Sequence, residues 1–133
     1  EGIARGEGPG ALSREIGKRI RAISDVDIIV VDGVRWPSDE EMIRSFERNA
    51  LIHVHVSAKE RHSRICGRGE NTGDAGKTYA DFLTEDNAPN ERFVDEMGTR
   101  ADISVLNERS LEYLESCVAG FLQDFVLPSV LKR

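Results

Sequence analysis

Proline is scarce in this chain, at four residues in 133, tryptophan occurs once, and aromatic residues make up only 6%. Collagen-like and proline-rich low-complexity architectures are thereby excluded. The two cysteines, Cys66 and Cys117, form no CxxC, and no histidine stands at metal-finger spacing from them. That rules out a disulfide framework and predicts reduced core thiols in a cytosolic protein. No apolar stretch reaches membrane length and no signal peptide is visible, so the expected location is the cytoplasm. The first residue is not methionine, and the opening Glu1-Gly2-Ile3 reads as mid-phrase, with a further segment expected upstream. Positive charge is also short. A net charge of -6 argues against nucleic acid or an anionic membrane as partner.

What is present suits one globular domain. Hydrophobic residues make up 39% of the chain and charged residues 32%, at a length that supports a core. The charge is unevenly spread. Lys59, Arg61, Arg64, Arg68 and Lys77 stand against Glu60, Glu70 and Asp74, while Asp81 to Glu108 holds eight acids against Arg92 and Arg100. A basic island in an acidic chain fits a small anionic ligand better than a polymer; a solvated helix face gives the same pattern.

The densest signal is Ile28-Ile29-Val30-Val31-Asp32-Gly33-Val34-Arg35. Four apolar, mostly β-branched residues predict a strand buried on both faces, as in a parallel sheet. Ligands gather at the carboxyl ends of such strands, where Asp32, Gly33 and Arg35 fall. A carboxylate there can hold a magnesium-bound water, the glycine admits a ligand to the backbone, and the arginine can grip a phosphate. An ordinary strand-to-helix turn uses the same residues.

Around this run the pattern alternates. Leu12, Ile16, Ile20 and Ile23 predict an amphipathic helix. Ser38 with Glu41 predicts a capping box after Pro37, with Met42, Ile43 and Phe46 as the buried face. Ala50 to Val56 is the second expected strand, and Ser57 with Glu60 a second capping box, opening a helix to about Cys66. Gly67, Gly69, Gly73 and Gly76 mark a loop. Thr78 with Asp81 caps a short helix carrying Phe82, Pro89 interrupts it, and Phe93, Val94 and Met97 continue on a further piece. Asp102 to Leu106 is the third expected strand. Ser110 opens a long helix striped by Leu111, Leu114, Val118, Leu122 and Phe125, which Pro128 ends or kinks. Strand-helix alternation of this kind predicts an α/β fold with a parallel sheet.

Several features bear on chemistry. Arg61, Arg64 and Arg68 share one helical face and lead into the glycine-rich loop, an arrangement that can clamp phosphates and stabilise transition-state charge. Asn71 to Thr78 nearly matches GxxxxGK[ST], but a helix precedes it where that motif needs a strand, so it reads as a lid loop and a decoy, from which Lys77 can touch a nucleotide. His53 and His55 face one side of their strand and read as buried, hydrogen-bonded histidines rather than a metal pair. Trp36 reads as packing.

In combination, Val30 to Arg35, the helix of Arg61, Arg64 and Arg68, the polar lid, and Arg100 to Leu114 resemble the P-loop nucleoside-monophosphate-kinase superfamily, most closely dephospho-CoA kinases and related archaeal kinase-like proteins. The resemblance implies a three-layer kinase-like fold, of which residues 1–133 form the C-terminal portion and residues 67–92 a lid-like insertion. It implies Mg2+ with ATP and a small phosphorylated acceptor. Asp32 takes the acid of the magnesium-water network, Gly33 and Arg35 lie on the acceptor side, Arg61, Arg64 and Arg68 meet the ATP phosphates, and Asn107 sits near adenine. Asp86 and Arg92 correspond to polar positions of the lid-return helix. The family's first strand, phosphate loop and helix have no counterpart in the sequence, and without them the core strands lack a partner and the ATP site is incomplete. The expected activity is ATP-dependent phosphoryl transfer. The alternatives are a non-catalytic nucleotide- or partner-binding module and, more remotely, an unrelated α/β enzyme using Asp32 as a metal ligand.

Overall fold

A computed structural model describes residues 10–68, 76–87 and 89–130. The elements are α1 (Ala11–Arg21), α2 (Pro37–Arg44), β1 (Ile52–His55), α3 (Ala58–Arg68), α4 (Tyr79–Asp86), α5 (Pro89–Gly98), β2 (Ile103–Leu106) and α6 (Leu111–Phe121). A π-helical turn over Leu122–Val126 and α7 (Leu127–Val130) follow. The class is α/β. Asp102 and Ile103 donate their N–H groups to Leu51 O at 2.9 and 3.3 Å, and Asn107 donates to His55 O at 2.9 Å. That steady offset marks β1 and β2 as parallel. The chain divides into two compact units, one from Glu1–Ile52 with Asn90–Ile103, the other from His53–Pro89 with Ser104–Arg133.

In the first unit α1 packs on α2 through small residues. Ser13 and Gly17 are buried, whereas Leu12 on the expected apolar stripe is 60% exposed. Close approach explains the choice: a Cβ on Gly17 meets Met42 Cγ at 3.0 Å, and one on Gly10, whose φ is +78°, meets Ser38 Cβ at 3.1 Å. Ser13 Oγ donates to Asp39 Oδ1 at 2.6 Å, and Asp39 Oδ2 accepts from the N–H groups of Arg35 and Trp36. The cap of α2 therefore differs from the Ser38–Glu41 box. Pro37 occupies the first turn, Trp36 is the N-cap, and Asp39 is the acid that reaches back. Trp36 packs on Phe93 of α5, with ring centroids 5.7 Å apart. The helical stretch parts at Pro89 as expected, and the proline itself is the first residue of α5.

An ionic seam closes this unit. Arg44 reaches Asp102 Oδ2 (2.7 Å), Asn49 Oδ1 and the Arg100 carbonyl, while Arg100 forks onto Glu40. The Leu51 N–H, donating to Asp102, is the main cause holding that carboxyl below its usual range, with Arg44 adding to it. A lowered folded value stabilises above the unfolded carboxylate pKa, and the benefit disappears as pH falls through the folded one. Asp102→Asn is therefore expected to cost about 1 kcal/mol at neutral pH. It should also flatten the acid limb of stability below about pH 4. Urea unfolding at the two pH values checks this, and an equal loss at both removes the charge from the account.

Two expectations about strands divide here. β1 and β2 lie within the ranges anticipated for the second and third strands. Residues 28–31, expected to be a doubly buried strand, are in none: Ile28 and Ile29 are exposed and Val30 is 86% exposed. A strand exists only through its ladder, and among the described residues β1 and β2 pair with each other alone. His53 and His55 do share a face, with rings 5.8 Å apart, but His55 is exposed rather than buried.

In the second unit Thr78 caps α4 through the Asp81 N–H and Ser110 caps α6 through the Tyr113 N–H. The box expected at Ser57 is absent, because Ser57 N–H donates to Glu108 Oε1 and Glu60 is engaged by Arg64. Helix α3 runs on through Gly67 to Arg68, so the loop starts later than expected. Residues 69–75, which carry most of the near-match to a phosphate loop, lie outside the described residues. Past α6 the backbone widens into the π turn and then continues through Pro128. A proline inside a helix removes one N–H and crowds the preceding turn, and the wider turn accommodates both. The α6 stripe is largely exposed, Leu111 at 66%. Both cysteines are free thiols. No helix among the described residues is long and apolar enough to cross a membrane.

Candidate functional site

Parallel strands deliver their following segments to one end, and here those segments are Ser57 with α3 and Asn107-Glu108 with α6. The Asn107 N–H continues the ladder onto His55 O, which turns the Asn107 carbonyl toward α3. Arg64 Nη2 donates to that carbonyl at 2.9 Å, and its Nε donates to Glu60 one turn back, also at 2.9 Å. The guanidinium is thus fixed beside the strand ends and remains 40% exposed. Glu108 accepts from Ser57 N–H at 2.8 Å. Its carboxyl lies below the usual carboxylate range, chiefly through the Ser57 hydroxyl, then the Ser57 N–H, with His55 and Arg64 adding positive charge. A structured loop, an oriented arginine and an ionised acid meet there, which is a layout able to order an anionic ligand against a polar one.

The three expected clamp arginines do not behave alike. Arg64 stands at the strand ends. Arg61 turns to α4, where both terminal nitrogens meet the Asp86 carboxylate and the Phe82 ring lies 5.7 Å from its Cζ. Arg68 closes α3 and is exposed. Lys77 pairs with Glu85 at 2.8 Å, and its carbonyl meets His62 Nε2 at 2.8 Å. The basic island is therefore matched in large part by Glu60, Glu85 and Asp86. Asp86 was anticipated only as a lid-return position, and its bond to Arg61 gives it a physical task.

Asp32, Gly33 and Arg35 form a neighbourhood of their own in the first unit. Asp32 Oδ1 accepts from Gly33 N–H at 2.7 Å, Gly33 is left-handed at φ +78°, and Arg35 N–H donates to Asp39. Nothing lies within 4 Å of a Cβ built on Gly33. The Asp32 residue is exposed. No group of three or more metal-ligating side chains occurs among the described residues.

Glu108, Ser57 and Glu60 join the site without having been singled out for it. Their signal is an acid and a serine each two residues past the end of a strand, Glu108 after β2 and Ser57 after β1, both at the ligand-collecting end.

No protein-family model and no solved structure matches the chain. Curated relatives do. The chain is 27% identical over 113 residues to a UPF0200 protein of Pyrococcus furiosus, covering 82% of this chain and 60% of the relative. It is 30% identical over 105 residues to a UPF0200 protein of Pyrobaculum aerophilum, covering 77% and 59%. A third, from Staphylothermus marinus, is 31% identical over 85 residues, covering 64% and 44%. The chain spans no more than about three fifths of the length of these relatives. Its homologues are UPF0200 proteins.

Proposed function

We propose that this chain takes part in ATP-dependent phosphoryl transfer to a small phosphate-bearing acceptor such as dephospho-CoA or a nucleoside monophosphate, in a P-loop kinase-like domain completed by a phosphate-cradling glycine loop. The observation that carries the reading is Arg64, held by Glu60 and the Asn107 carbonyl beside the carboxyl ends of two parallel strands. A guanidinium oriented before the ligand arrives stabilises charge developing on a transferring phosphoryl group without reorganising. In this reading the γ-phosphoryl of ATP passes in line to an acceptor oxygen as its bond to the β-phosphate oxygen breaks and ADP leaves, with Arg64 and Arg68 on the phosphates and Arg61 and Asn107 on the nucleotide. Gly33 and Arg35 serve the acceptor, and Asp32 orients magnesium-bound water. Mg2+ arriving with ATP would supply neutralisation of phosphate charge, and Asp32 would hold it through water. Residues 67–92 act as the lid.

The pairing of Arg61 and Lys77 with Asp86 and Glu85 favours one second reading, a non-catalytic module that binds a nucleotide or a protein partner. Phosphorus NMR of the protein with Mg2+, ATP and a panel of acceptors separates them. Phosphoryl transfer yields ADP and one phosphorylated acceptor, whereas the binding module shifts the ATP signals and leaves ATP intact. Unshifted, unconsumed ATP sinks phosphoryl transfer and the nucleotide-binding form of the module, leaving only a protein-binding one.

A further inference from the structure

Helix α4 is held against α3 at both of its ends, by bonds of different kinds. At the near end His62 Nε2 meets the Lys77 carbonyl at 2.8 Å, next to the Thr78 cap. At the far end Asp86, the last residue of α4, takes both terminal nitrogens of Arg61, one of them at 2.8 Å. Asp86 is mostly covered, at 17% exposure, while Arg61 is 41% exposed. The grip is incomplete. Arg61 Nε is buried with no hydrogen-bond partner, the one side-chain nitrogen or oxygen so placed among the described residues. A carboxylate met end-on by the two terminal nitrogens leaves Nε–H idle, and an idle buried donor is unfavourable. A phosphate met side-on takes Nε and one terminal nitrogen together, and it offers three acceptor oxygens with more charge than a carboxylate.

From this geometry we infer that Arg61 is a two-position switch: Asp86 holds it, and with it the far end of α4, until a polyphosphate takes the guanidinium away. This rests on the phosphate-handling reading of α3. Asp86 is then a competitor for the ligand, and α4 pivots about its His62-anchored end when Arg61 changes partner. A fixed strut between the same two residues has the opposite signature, since weakening it can only loosen the site.

The test is calorimetric titration of inorganic tripolyphosphate into the wild-type protein, Asp86→Asn, Arg64→Ala and the double variant Asp86→Asn with Arg61→Ala. Asp86→Asn is expected to bind about five-fold more tightly than wild type, the scale of losing one partly exposed charge competitor. The double variant is expected to lose that gain. Amide exchange on the wild type gives a second readout that needs no substitution, with tripolyphosphate speeding exchange at the Leu83–Asp86 end of α4. Unchanged or weaker binding by Asp86→Asn, or unchanged exchange in α4, overturns the switch while Arg64-dependent binding still stands. If tripolyphosphate does not bind, or binds equally well to Arg64→Ala, the phosphate-handling reading itself fails and takes the switch with it.

Discussion

Arg64→Ala is expected to lower phosphoryl transfer by a factor of about one hundred or more, with the loss in kcat rather than in KM. The guanidinium is held by Glu60 on one side and by the Asn107 carbonyl on the other, so it waits in one orientation. Such preorganised charge acts where it meets charge that grows in the transition state, which is why kcat carries the effect. Stability should barely change, since the pair with Glu60 is exposed and spaced i,i+4, worth about 0.3–0.5 kcal/mol. Arg64→Lys is expected to recover little, because an ammonium cannot contact Glu60 and Asn107 through a planar fork. Glu60→Gln loosens the orientation and keeps the charge, so its loss should be smaller. Steady-state kinetics with a melting curve for each variant decides the matter. Unchanged turnover in Arg64→Ala removes it from the clamp.

The largest stability effect is expected at Gly17. Alanine there gains about 1 kcal/mol of helix propensity over glycine. Against that, its Cβ stands 3.0 Å from Met42 Cγ and 3.1 Å from an Arg21 terminal nitrogen. Both neighbours are flexible side chains, and Met42 can yield a few tenths of an ångström, so Gly17→Ala should be close to neutral. Leucine adds three more carbons to the contact between α1 and α2 and is expected to cost about 2–3 kcal/mol. Met42→Ala makes room, and combining it with Gly17→Leu should recover part of that loss, a non-additivity that marks direct contact. Chemical denaturation of the four proteins tests this. If Gly17→Leu is as stable as wild type, α1 does not approach α2 as closely as described.

What could be read in the sequence depended on whether the signal was local. The β1 and β2 runs, the Thr78 and Ser110 caps and the shared face of His53 and His55 follow from neighbours a few residues apart. So does the expected α/β class. Residues 28–31 show the limit, because composition reports the wish of a segment to be buried and its partner decides whether it is. The stripe on α1 misled for a related reason: Leu12 and Ile23 announce an apolar face, yet Ser13 and Gly17 make the contact because α2 comes close. At the site, spacing placed Arg61, Arg64 and Arg68 on one helix but could not foresee that Asp86, 25 residues beyond Arg61, would claim it. Asn107 was anticipated only as a residue near adenine, and spacing gives no sign that its carbonyl holds Arg64.

The ionic seam of the first unit joins Arg44 to Asp102 and Glu40 to Arg100 across separations of 58 and 60 residues. That unit is built from two stretches with the chain from His53 to Pro89 between them. During synthesis α1 and α2 leave the ribosome well before the residues that complete their seam, while the intervening segment emerges first. Closing so long a loop is entropically costly before any contact rewards it, and non-local contacts of this kind slow folding. The nascent chain therefore carries an unfinished first unit until Asp102 has been released.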